Sequence, residues 1–207
     1  MPIITISRMF GAGGSLVAGR VADALGWPLL DNAFVEAVAQ GVGITAQEVA
    51  EREERVPSLV DRVLRALALG SPETLPALAD LPAPSEERLL AVTRRVIEEA
   101  AAAGPAVLVG RGAQAVLAAH PDALHVFCHA PVEALVARAA TRLAAGEEVA
   151  RAQVERVNRQ REQYVRTHFD RDWRAMENYH LCVDTAALGI DGAAEVVVMV
   201  ARRKFGR

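Results

Sequence analysis

The residues of this chain best suited to chemistry lie in one short stretch, Ser7 to Leu16, "SRMFGAGGSL". Gly11, Gly13 and Gly14 leave the backbone N–H groups of a tight turn unobstructed, so those groups can converge on an anion. The helical pattern that follows adds its positive end. A hydroxyl in the first helical turn, that of Ser15, can ligand the magnesium ion that bridges phosphates. Gly11, Ala12, Gly13, Gly14, Ser15 and Leu16 are therefore candidate phosphate-contacting residues, and Ser15 is the candidate metal ligand. Against the pattern G-x-x-x-x-G-K-[ST] the stretch departs twice, with Arg8 at the first glycine and Gly14 at the lysine. The missing lysine is the charge that follows a transferred phosphoryl group. Arg8, at the C-terminal end of the preceding strand, can supply that charge from the other side of the loop. A turn set by packing alone is the competing reading.

Other candidates are arginines, as the composition requires. Of 23 lysines and arginines only Lys204 is a lysine, so a cation meeting phosphate elsewhere must be a guanidinium. Arg111 directly follows a buried apolar run, at the strand edge where ligands bind in open α/β sheets. A guanidinium there suits a bidentate grip on a phosphate, or equally a structural salt bridge. Arg138 and Arg142 stand at i and i+4 and can face one site together. Glu147–His168 is strongly charged and rich in arginine, either a solvated helix or a mobile lid. Asp31 can position magnesium through water, or cap a helix beginning at Asn32. Asp184 reads as a cap after the last strand, and His125 and His129 as strand and turn residues. Cys128 and Cys182 fall in predicted buried strands at a spacing that matches no metal or redox motif.

The elements that must position these residues alternate. Apolar runs at Ile3–Ser7, Ala106–Val109, Leu124–Cys128 and Leu181–Asp184, with a shorter one at Trp27–Leu30, lack the alternation of a half-exposed strand and predict parallel strands covered on both faces. Helical patterns separate them: Gly14–Leu25 ending in Gly26, Glu86–Ala103 between Ser85 and Gly104, Val132–Leu143 after Pro131, and Gly192–Arg203 with Asp191 as N-cap. The expected fold is α/β, a three-layer sandwich of the kind built around phosphate loops, with a mostly parallel sheet of about five strands. A chain of 207 residues suggests one domain, 1–207. Two segments lie outside a minimal βα pattern. One is a helical insertion at 42–84, including Thr45–Leu69 with a Thr45/Glu48 capping box and a break at Pro57. The other is the lid-like segment 144–172. The net charge of -3 gives no support to nucleic-acid binding. No apolar run reaches the ~18 residues of a membrane span, and the N-terminus lacks a basic stretch before its apolar residues, so a cytoplasmic protein is expected.

Taken in order, "ITISRMFGAGGS", "GWPLLDNAFVEAVA", "AVLVGRGAQAVL", "DALHVFCHAP" and "REQYVRTHFDRDW…YHLCVDT" resemble the cytidylate kinase-like branch of the nucleoside monophosphate kinases. The resemblance covers most of the chain outside Val42–Pro84. It implies an ATP- and Mg²⁺-dependent phosphotransferase acting on a nucleoside monophosphate or similar acceptor. It places Asp31 and Arg111 at the acceptor, Gly11–Leu16 around the donor phosphates, and Arg159, Arg161 and Arg166 in a lid closing over them, with Arg161 and Arg166 favoured as catalytic partners of Arg8. The departures are specific. Gly112 replaces the acid of the family's Gly-Arg-Asp, the segment after Asp31 lacks the tyrosine and arginine that read the acceptor, and different helices occupy Val42–Pro84. A nucleotide-binding or regulatory protein without transfer chemistry is a second reading. A third is an assembly protein, with a homodimer formed through the helical insertion.

Overall fold

The computed structural model describes residues 1–31 and 86–206. The insertion at 42–84, with its capping box and proline break, the caps proposed at Ser85 and Asn32, and any dimer formed there lie outside the described residues. The elements in chain order are β1 (Ile3–Arg8), α1 (Gly14–Leu25), β2 (Leu29–Leu30), α2 (Glu86–Ala103), β3 (Ala106–Val109), α3 (Ala113–Val116), β4 (Ala123–His129), α4 (Val132–Leu143), α5 (Glu147–Phe169), β5 (Leu181–Asp184) and α6 (Thr185–Phe205), with a short 3₁₀ turn at Met176–Asn178. The five strands form one sheet in the order β2-β3-β1-β4-β5, and every pairing is parallel.

The burial pattern follows from side chains alternating across a strand. Ile4 and Ile6 of β1, with Val107, Val109, Leu124 and Val126, enter one core with Val17 and Val21 of α1 and Ala193 and Val197 of α6. Ile3, Ala106 and Leu108 point to the opposite face, against Val96, Ile97 and Ala100 of α2 and Leu117 after α3. Both faces are thus covered, which is why the strands read as continuous apolar runs. β1 lies at the centre with β3 on one side and β4 on the other, so the chain changes direction across the sheet beside it. A crevice opens at such a switch point, outside the C-terminal ends of the strands.

Two elements differ from expectation. The last helix begins at Thr185, capped by the Asp184 carboxylate, which accepts from Ala186 N at 2.8 Å and Ala187 N at 3.2 Å. Its path is interrupted at Gly189 (φ 69°, ψ 175°), so the predicted helix from Gly192 is the portion after a kink. Asp191 is not the N-cap; it pairs with Arg20 of α1 and ties the two helices together. Cys128 is buried as predicted, but Cys182 is only partly so. No helix among the described residues is long and apolar enough to cross a membrane.

Inside the sheet, the buried Thr5 and His125 pair with each other, as burial favours. Thr5 Oγ1 and His125 Nδ1, on opposed positions of β1 and β4, lie 2.8 Å apart. The His125 ring stacks on His180 with centroids 5.0 Å apart. Burial, and secondarily the neighbouring His180, lowers the His125 pKa from 6.5 to about 4. The unfolded chain therefore takes up a proton that the folded one refuses, and stability falls as pH drops through that interval. Urea denaturation at a series of pH values is expected to show stability falling from pH 6.5 towards about 4, with a shallower dependence in H125Q.

Candidate active site

β1 ends at Arg8, whose backbone is held in register with Cys128 of β4. The chain then turns through Met9–Gly13 and enters α1 at Gly14, with Gly13 as a left-handed N-cap (φ 69°). The amides of Gly11, Gly13, Gly14 and Ser15 have no backbone acceptor among the described residues. They are the donors that a helix N-terminus leaves over. Ala12 is fully buried, whereas Ser15 and Leu16 are exposed on the first turn. From the far side, Thr185 Oγ1 donates to Ala12 O at 2.7 Å and anchors the turn.

The position where a lysine was expected has a steric explanation. A Cβ on Gly14 would overlap Arg8 Cβ and come within 3.0 Å of Arg8 Cγ and 3.2 Å of Cys128 Cβ. The aliphatic stem of Arg8 fills the space that the side chain of residue 14 would need. The two departures from the loop pattern are therefore one coupled exchange.

Arg8 lines a cavity of about 330 Å³ at the C-terminal edge of the sheet, together with Arg111 and Arg161. Tyr164, Trp173 and Tyr179 form its aromatic wall, and Ser7 and Gln114 add polar groups. Arg111 occupies the middle of a turn in which Gly110, Arg111 and Gly112 all have positive φ (74°, 51° and 71°). Positive φ is unfavourable for an arginine, and such strain collects at functional sites. Arg161 Nη1 donates to Arg8 O at 2.7 Å. Burial, followed by Arg8 and Arg142, pushes the Arg161 pKa down to about 10. Burial also lowers that of Arg8; Cys128 and Asp31 oppose the shift and Arg111 adds to it. The cavity gathers guanidiniums that repel one another, an arrangement a multivalent anion stabilises.

A cytidylate kinase-like family model matches residues 3–187. The chain belongs to the cytidylate kinase-like family. No curated protein matches it. Among solved structures, an uncharacterized protein from Eubacterium ventriosum superposes with TM-score 0.68 at 20% identity, covering 97% of this chain and 98% of that one. A gluconokinase from Sinorhizobium meliloti gives 0.51 at 16%, with 99% and 95% coverage. The YorR protein from Bacillus subtilis, in complex with phosphorylated GDP, gives 0.52 at 12%, with 99% and 98% coverage. These identities bear on the fold alone, and the fold is that of a nucleotide-kinase-like protein.

The turn after β3 reads Gly110-Arg111-Gly112, and the packing leaves no room for a side chain at residue 112. A Cβ on Gly112 would run into the ring of Phe169, at the end of α5. The Arg94 guanidinium lies over the same ring, 5.0 Å from its centroid.

The structure brings Arg8, Arg111 and Arg161 together, and Asp31, exposed after β2, lies close enough to influence Arg8. It does not bring in Arg166 or Arg159, which are exposed on α5 away from the cavity. Arg138 and Arg142 part company despite their spacing. Arg138 donates to Thr185 Oγ1 (2.9 Å) and Thr185 O (2.7 Å), while Arg142 stacks over Phe10 at 5.6 Å. The aromatic wall was missed: Trp173 and Tyr179 carry no spacing signal, and only folding delivers Tyr179, whose hydroxyl donates to Trp173 O at 2.8 Å.

The exchange at positions 8 and 14 makes a stability prediction. Gly14→Ala should destabilise the protein by about 1–3 kcal/mol through overpacking against Arg8. In the R8G background the same substitution should cost much less, giving a coupling of at least about 1 kcal/mol in a denaturation double-mutant cycle.

Proposed function

We propose that the protein is an ATP-dependent phosphotransferase that carries a phosphoryl group to a nucleoside monophosphate or a similar phosphate-bearing acceptor. The observation that carries this reading is Arg8. Its stem occupies the lysine's space against Gly14, and its head lies in the same cavity as Arg111 and Arg161, beside a loop of free amides. The loop amides and the N-terminus of α1 hold the donor phosphates. Arg111 grips the acceptor phosphate through its planar fork. Arg8 and Arg161 neutralise charge on the group in flight, where fixed cations out of water act most strongly. The aromatic wall keeps water from competing as acceptor.

The donor set suits magnesium. Among the described residues no cluster of three or more His, Cys, Asp or Glu could hold a metal. The Ser15 hydroxyl, with Asp31 acting through water, matches an ion that relies on phosphate oxygens and keeps its waters. Ser15 and, through water, Asp31 would hold the ion, which would supply charge neutralisation to the donor phosphates. Base specificity is open, because the acceptor-reading tyrosine and arginine of the family are lacking.

Purified protein with Mg-ATP should convert at least one member of a nucleoside monophosphate panel to its diphosphate, followed by coupled assay or ³¹P NMR. Arg8→Ala should reduce kcat by about 10²–10³-fold with a much smaller change in the ATP dissociation constant. Tight Mg-ATP binding with no turnover across a broad panel would overturn transfer and leave a nucleotide-binding protein.

A further inference from the structure

We propose that Asn158 is a positioning residue for the donor-phosphate loop, holding it in its anion-binding shape from outside in place of the lysine that commonly grips such loops from within. The inference rests on reading Gly11–Ser15 as the donor site.

α5 buries Ala150, Val154, Asn158 and Val165 along one stripe, and Asn158 is the polar member. It is 3% exposed. An amide at that depth destabilises the fold unless it is hydrogen-bonded. Its Oδ1 accepts from Phe10 N at 2.7 Å. The chemistry fixes the orientation of the amide, because a backbone N–H requires the oxygen and not the nitrogen. One turn further along α5, Arg161 donates to Arg8 O at 2.7 Å. The two bonds bracket Met9, so one rigid helix fixes the peptides on both sides of the residue where strand becomes loop. On the opposite side the loop is pressed against α4: a Cβ on Gly11 would come within 2.9 Å of Leu135 Cα.

This clamp has a consequence for the anion site. Turning the Phe10 N–H towards Asn158 takes it out of the concavity and sets the plane of the preceding peptide. The amides of Gly11, Gly13, Gly14 and Ser15 are then presented without a backbone acceptor among the described residues, while Ala12 N donates to Met9 O at 3.2 Å. With Gly14 at the lysine position, no side chain of the helix reaches back over the loop. Its shape depends on Thr185 of α6 and on α5, where Asn158 is the contact that depends least on ligand charge.

The test compares N158L and N158D. Leucine has as many side-chain heavy atoms as asparagine but strands the Phe10 N–H. Aspartate keeps an acceptor, beside the compensating charge of Arg161. Calorimetry with Mg-ATP should show N158L binding at least about tenfold more weakly than wild type, and N158D within about threefold. Protein labelled with ¹⁵N at its five phenylalanines should show faster hydrogen exchange at Phe10 in N158L and near-native exchange in N158D. With an acceptor that turns over, the acceptor KM should change by less than about twofold. If N158L does not fold, N158A is judged by the same thresholds.

N158L affinity within about twofold of wild type, or N158D as impaired as N158L, would overturn the proposal. Unchanged Phe10 exchange in N158L would overturn it as well. Wild type that binds Mg-ATP but transfers nothing removes the phosphotransferase reading and leaves the Asn158 comparison decided by affinity. Wild type that does not bind Mg-ATP overturns both.

Discussion

The contact between the stem of Arg8 and the Cα of Gly14 is the constraint on which the site is built. Two atoms cannot share one volume, so a cation rooted at position 8 excludes any side chain at position 14. In the function proposed above, this roots the charge at the phosphates on a strand and not on a helix. β1 is paired on both sides, with β3 and β4, and its end at Arg8 is held in register with Cys128. The guanidinium is thereby referenced to the most rigid part of the fold, and the loop is freed from carrying it.

That arrangement has an electrostatic cost and a structural answer to it. Arg8, Arg111 and Arg161 crowd one cavity, and burial with repulsion from neighbouring guanidiniums acts against the charged forms of Arg8 and Arg161. The packing holds them there. The backbone oxygen of Arg8 takes a hydrogen from Arg161, and Phe169 lies over the Gly110–Gly112 turn that carries Arg111. α5 serves both contacts and carries Asn158 besides. The charged segment therefore has a dry face against the loop and a wet one carrying Arg159 and Arg166. The solvated-helix reading of its sequence describes the exposed face.

What was legible locally came through. Gly14–Leu25, Val132–Leu143 and the apolar runs of the strands have boundaries close to those expected, since periodicity and caps are nearest-neighbour chemistry. The last helix was misplaced because Asp184 and Asp191 offer the same local signal, an acid before small residues. Their partners tell them apart, the amides of Ala186 and Ala187 for one and Arg20 for the other. Arg138 and Arg142 share a helix face by spacing, but Thr185 captures the first and Phe10 the second. Asn158 left a faint trace, one polar residue on an otherwise apolar stripe, with nothing in the stripe to say what it bonds.

By itself the sequence determined the fold class, the family, the glycine turn and the need for arginine wherever a cation meets phosphate. The family rests on the resemblance of long stretches of the chain, and the others follow from residue type and short-range spacing. Only the tertiary structure decided which arginines converge, why residue 14 is glycine and residue 112 is not an acid, and what holds the loop. Those answers depend on side chains meeting distant backbone at 2.7 Å, as Arg161 meets Arg8 O across 153 positions and Thr185 meets Ala12 O across 173. Short-range patterns do not encode such a meeting; the parallel order of the strands and the packing of α5 across their ends bring it about.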